Sequence, residues 1–153
     1  MLKLTKKADY GLIALKHLAE TQHGGTSSAK DIAEAYDLPQ EALAKILQKL
    51  AKAKLLVSHA GTNGGYSLAK APHDITALEV IRLIDGPLFM TACASDKECQ
   101  VTNCNVKEPL ARVSQSITEV LRKLTIAEMM DPKTNGNGSP AKAVPPRELV
   151  SLV

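Results

Sequence analysis

At 153 residues with 44% hydrophobic and only 3% aromatic content, the chain suits one helical domain, or a small domain with an extension, whose core is built from Leu, Ile, Val and Ala. The net charge of +3 is too small to indicate a nucleic-acid partner by itself. No stretch approaches the ~18 consecutive apolar residues of a membrane span, and MLKLTKKADYGLIAL lacks a signal-peptide pattern. The expectation is therefore no membrane partner and a cytoplasmic location, where thiols stay reduced.

A first helix is expected from an N-cap at Thr5 to Glu20, because Leu4, Ala8, Leu12, Leu15 and Ala19 recur at helical spacing. Gly24 and Gly25 break the chain. Ser28 and Asp31 form a capping-box pattern ahead of DIAEAY, which starts a second helix. Asp37-Leu38-Pro39 predicts a tight turn, with Pro39 at the first position of a third helix running to Lys54.

That third helix has two faces. Leu43, Ile46, Leu47 and Leu50 form an apolar stripe, while Glu41, Lys45, Gln48, Lys49 and Lys52 form the opposite one. Residues 40 to 70 hold Lys45, Lys49, Lys52, Lys54 and Lys70 against a single acid, Glu41. Such a stripe is commonly just a solvated face, so the neighbouring elements decide. Two β-prone runs follow, Leu55 to Ala60 and Tyr66 to Ala69, around a tight hairpin turn expected at Asn63-Gly64. Three helices and a hairpin in this order spell a winged helix-turn-helix, which places its third helix in the major groove. Gln40, Glu41, Ala44, Lys45 and Gln48 are the base-facing set. Lys49, Lys52, Ser28 and the amides around Thr62-Asn63-Gly64 suit phosphate. The expected partner is double-stranded DNA with a pseudo-palindromic operator whose half-sites lie about 10 bp apart.

Thr76 and Glu79 predict another capping box, for a helix stopped by Gly86-Pro87. A long helix then carries Leu110, Val113, Ile117, Val120 and Leu124 at alternating 3 and 4 spacing, an a/d seam that predicts a homodimer. Thr125 and Glu128 cap a last short helix, and the Gly-, Pro- and Asn-rich sequence from Asp131 predicts a flexible tail. The expected organisation is a DNA-binding domain over 1–75, a cysteine-loop and dimerisation region over 76–130, and a tail over 131–153. The fold class is mainly α with a small β-hairpin wing and a long C-terminal dimerisation helix.

All three cysteines, Cys93, Cys99 and Cys104, lie in TACASDKECQVTNCNVKEP. An odd number cannot all pair as disulfides, and the surrounding loop is polar, which argues against inert buried thiols. Iron–sulfur ligation, a structural zinc site and a thiol–disulfide switch all remain open. The gaps of five and four residues are long for paired zinc hooks. No nucleophilic triad, phosphate-binding Gly-rich loop or paired-carboxylate motif appears, so no enzyme is expected.

LTKKADYGLIALKHLA, AKDIAEAYDLPQEALAKILQKLAKAKLLVS, GTNGGYSLAKAP and ITALEVIRLIDGP, followed by the three-cysteine loop, cover about residues 1 to 130. Together they resemble the Rrf-type winged-helix transcriptional regulators that carry iron–sulfur clusters, the group of IscR, NsrR, RirA and the Suf regulators. MLKLTKKADY and LLVSHAGTNGGYSLAKAP resemble the Suf type in particular. The resemblance implies a 2Fe-2S or 4Fe-4S cluster on the three cysteines. Where IscR places a fourth ligand, a His, this chain has Lys107, and where IscR-like members place a wing Arg it has Ala60. Asp9 matches the position from which NsrR-like members donate a carboxylate across the dimer. The implied function is regulation of iron–sulfur assembly or iron genes by cluster status. Alternatives are a nitric oxide or redox-sensing repressor and, from another class, a small iron–sulfur electron carrier or cluster-handling protein.

Overall fold

The computed structural model describes residues 3–22, 25–62, 64–89 and 101–130. Cys93, Cys99, Asn63 and the expected tail over 131–153 lie outside the described residues.

Helix α1, Lys6–Glu20, starts where Thr5 adopts extended backbone and its hydroxyl accepts the amide of Ala8. It buries Ala8, Gly11, Ala14, Leu15, Leu18 and Ala19, small and aliphatic residues at helical spacing. Helix α2, Ala29–Tyr36, has both halves of its capping box, and Asp37 ends it in the left-handed region at φ 53°. Helix α3, Gln40–Lys52, begins one residue later than expected, because Pro39 is its extended N-cap and not its first helical residue. Its buried residues are Leu43, Ile46, Leu47 and Leu50.

Strands β1, Leu56–His59, and β2, Gly65–Leu68, pair antiparallel with Leu56 opposite Leu68 and His59 opposite Gly65. The expected two-residue turn at Asn63-Gly64 is therefore replaced by a wider loop, residues 60–64. Within it the chain reverses at Gly61, whose φ is +110°, and the Gly64 amide donates to the Gly61 carbonyl at 3.0 Å. A glycine at Gly61 removes the Cβ clash of that backbone conformation.

Helix α4, Ala77–Asp85, is capped by the Thr76 hydroxyl and stopped at Gly86, φ 86°. Only the Thr76 half of its box forms, since Glu79 turns to Lys70 at 3.3 Å. Helix α5, Lys107–Lys123, and helix α6, Ile126–Met130, complete the fold. Thr125 and Glu128 cap α6 reciprocally, at 3.2 and 3.3 Å.

One buried cluster joins Leu15, Ile32, Leu43, Leu47, Leu50, Leu55, Ile75, Val80 and Ile126. Residues on both sides of position 75 thus fill the same core. Burying each such side chain contributes roughly 1.5–3 kcal/mol before entropy is counted. A second, smaller cluster gathers Ala8, Ala77 and Ile81 with Leu121 and Leu124 around it. Among the described residues no helix is long and apolar enough to cross a membrane.

Candidate nucleic-acid interface and cysteine segment

With Leu43, Leu47 and Leu50 turned into the core, the helical period carries Glu41, Lys45, Gln48 and Lys52 to the opposite, exposed pole of α3. Gln40 is exposed at its N-terminus and Ala44 is half-buried on its flank. This places most of the expected base-facing set on one surface. Three of the expected phosphate contacts are otherwise engaged. Lys49 Nζ donates to the carbonyl of Ile84 at the end of α4, 3.3 Å away. The Ser28 hydroxyl donates to Asp31 Oδ2 at 2.7 Å, and the Ser28 amide donates to the same oxygen at 2.9 Å. The Gly64 amide serves the wing loop. Lys52 and Thr62 are exposed, and Asn63 lies outside the described residues.

The wing is fixed to the reader by its backbone. The Tyr66 amide donates to the Ser27 carbonyl at 2.8 Å, and the Ser27 amide returns a bond to the Tyr66 carbonyl at 3.2 Å. Gly65 permits this approach, because a Cβ there would lie 2.7 Å from the Ser27 carbonyl carbon and oxygen. His17 ties the same corner together. Its Nδ1 lies 3.2 Å from the Tyr36 hydroxyl and its Nε2 3.4 Å from the Ser27 hydroxyl, with the two rings edge to face. His59 Nε2 meets the Ser67 hydroxyl at 2.8 Å across the wing.

At the other end of α1, Thr5 donates from its amide at 3.3 Å, and from its hydroxyl, to the carboxylate of Asp85. Asp9 is nearby on α1. Loss of surrounding water and then the Asp85 charge push the Asp9 carboxyl above its ordinary value. Cys104 is half-buried, three residues before α5, and Lys107 is the first residue of that helix. Among the described residues, no three His, Cys, Asp or Glu side chains gather as a metal site. Of the expected ligands, Cys104 and Asp9 lie among the described residues.

The expected dimer seam divides. Val113 and Val120 are 44% and 65% exposed, large apolar side chains left mostly uncovered among the described residues. Leu110 and Ile117 are half-buried. Leu124 departs from the seam: it is the C-cap of α5, packs in the second cluster, and its carbonyl accepts the Ala77 amide at 2.8 Å.

The sequence profile of a family described as Rrf2, iron-dependent transcriptional regulator, matches residues 4–132. The chain belongs to the Rrf2 family. Among solved structures, CymR (YrzC), the global cysteine regulator of B. subtilis, is 32% identical, with a TM-score of 0.73 over 85% of this chain and 97% of that one. IscR of T. potens is 31% identical, with a TM-score of 0.70 over 90% and 94%. The oxidised form of CymR from Staphylococcus aureus is 28% identical, with a TM-score of 0.68 over 85% and 97%.

As an Rrf2 protein, the chain is a DNA-binding transcriptional regulator and not an enzyme. The expected winged helix-turn-helix with its two-stranded wing is the fold this Rrf2 chain adopts. Sequence reasoning missed the Ser27, His17 and Tyr36 corner, since its partners come from three separate elements. It also missed the bond from Lys49 to α4. An exposed lysine on a helix face carries no signal of a carbonyl 35 residues onward.

Proposed function

We propose that this chain is a dimeric, sequence-specific DNA-binding regulator whose hold on its operator is set by an iron–sulfur cluster. Cys93, Cys99 and Cys104 would hold the cluster, with Asp9 of the partner subunit as fourth ligand. The observation that carries the DNA-reading half is the exposed pole of α3, Glu41, Lys45, Gln48 and Lys52, opposite a wholly buried leucine stripe. The ligand half rests on the chemistry of the donors. Thiolate sulfur suits cluster iron, and a carboxylate whose charged form is disfavoured beside a second acid gains from a cation. A protonated Lys107 cannot serve as ligand. When bound, the cluster would supply a redox-active iron centre exposed to attack at its oxygen ligand. The family description and the likeness to T. potens IscR support genes of iron or iron–sulfur assembly as targets.

The deciding experiment is purification under strict anaerobiosis, with iron and sulfide quantified. Gel shifts of holo and apo forms on the gene's own upstream DNA follow. A coloured, iron-loaded protein whose DNA affinity differs between the two forms is expected; a colourless, iron-free protein would sink the cluster reading. Asp9→Ala should alter the cluster spectrum, and an unchanged spectrum and oxygen sensitivity would remove Asp9 from the ligand set.

A second reading, a thiol switch without metal, is favoured by one observation, the likeness to an oxidised form of CymR. It predicts iron-free protein in which oxidant removes two of the three free thiols and changes DNA affinity.

A further inference from the structure

Beside α3 lies a hollow of about 450 Å³ lined from three helices: Lys7 of α1, Glu41, Lys45 and Lys49 of α3, and Ile84 at the end of α4. Three ammonium groups thus meet one carboxylate. Among the described residues Lys7, Lys45 and Lys49 form no ion pair. The head of Lys49 rests instead on the Ile84 carbonyl, at the negative end of the α4 dipole. Uncompensated cations in a concave wall focus a positive potential outward, toward an anion. Lys45 belongs both to this hollow and to the exposed pole of α3, so the hollow opens beside the surface that reads bases.

We propose that this hollow seats a phosphate of the DNA backbone beside the half-site, with Lys7 as a contact that the helix-turn-helix and wing do not supply. The proposal rests on the DNA-reading function proposed above. A helix lying in the major groove has a sugar–phosphate rim along its flank, and phosphate contacts fix register without reading sequence. Lys7 brings α1 into the interface, so the grip on the duplex comes from two helices and not from α3 alone. Glu41 at the edge limits the seat to one phosphate's charge and repels a second.

The test is a salt titration of binding with the full chain on its operator and on an unrelated duplex. Lys7→Gln should lower the salt slope by about one and weaken both duplexes equally, by about eightfold at 0.1 M salt relative to 1 M, the worth of one phosphate's counterions. Lys7→Arg should restore both. Lys16→Gln removes a lysine from the same helix that is paired with Glu20 at 3.1 Å, and should leave the slope unchanged. Circular dichroism melting checks that each variant folds. An unchanged slope in Lys7→Gln, or an equal loss in Lys16→Gln, overturns the seat. So does a third result, in which free phosphate raises the melting temperature of wild type but not of Lys7→Gln while the DNA slope stays the same; the hollow would then serve a small anion. Wild type that binds no duplex overturns DNA reading and the seat together, which separates that failure from loss of the seat alone.

Discussion

Two aspartates act on stability with opposite sign. The Ser28 hydroxyl, and then its amide, hold the Asp31 carboxyl below its ordinary value. The unfolded chain then binds more protons than the native one below the ordinary aspartate pKa of about 3.9, so this contribution is lost as pH falls through the lowered native value. Asp31→Asn should therefore flatten the acid limb of a urea-midpoint curve recorded from about pH 5 to pH 2. Asp9 runs the other way. Its carboxyl is raised, so the native state binds the extra proton and stability declines as pH rises past the ordinary value. Asp9→Asn should raise the melting temperature of metal-free protein at pH 7 and lose that gain below about pH 4. A group that costs the fold at its working pH is where function is to be sought. The role of Asp31 was legible from Ser28-x-x-Asp31, a local pattern. The cost at Asp9 was not, because it arises from tertiary burial and then from Asp85, on another helix far along the chain.

Among elements, the wing and α5 show what a pattern of apolar residues specifies and what it leaves open. The β runs and their pairing could be read from the sequence, yet the turn could not. Asn63-Gly64 has the composition of a two-residue turn, but the register set by Leu56 and Leu68, and the docking of Tyr66 on Ser27, require five residues in the loop. The anchor itself hangs on Gly65. Gly65→Ala should cost about 1–3 kcal/mol, as overpacking against a backbone does, and should loosen the wing from the reader. Faster amide exchange at Tyr66 and a lower urea midpoint would show it; unchanged exchange would count against the anchor. In α5, the alternating spacing identified the helix but treated its stripe as a single interface. The structure instead packs Leu124, beside Leu121, against the second cluster and leaves Val113 and Val120 exposed. On the proposed dimer, Val120→Asp should leave the melting of the single chain nearly unchanged while abolishing dimers in sedimentation and weakening operator binding. A variant that stays dimeric would move the interface elsewhere.

On the scale of the molecule, the chain closes on itself. Ile126 is fully buried in the cluster that also holds Leu15 and Leu47, and its amide donates to the Ile75 carbonyl at 2.9 Å. Ile126→Ala should cost about 2–5 kcal/mol, the price of a core cavity, and should lower the stability of the reader helices and the wing in one cooperative urea transition. Two separate transitions, with the first 75 residues unaffected, would refute a shared core. Helices, caps and the helix-turn-helix order were legible because each is written in a continuous local pattern. The closure was not, because a five-residue helix with one buried isoleucine looks the same in sequence whether it docks or frays. Nor was the meeting of α1, α3 and α4 around Ile84 and Asp85, where two bonds from Thr5 tie the start of one helix, and one from Lys49 the flank of another, to a common end.

The burial of Ile126 also sets a timetable. Synthesis runs at about 5–20 residues per second, and amino-terminal domains ordinarily fold as they emerge. Here one wall of the reader's core, the contact of Ile126 with the cluster of Leu15 and Leu47, forms only after α6 has left the ribosome. By then Cys93, Cys99 and Cys104 have all been made. A chain that stops short of Ile126 therefore lacks part of the core beneath the reader, and every chain with that core complete already includes residues 93–104.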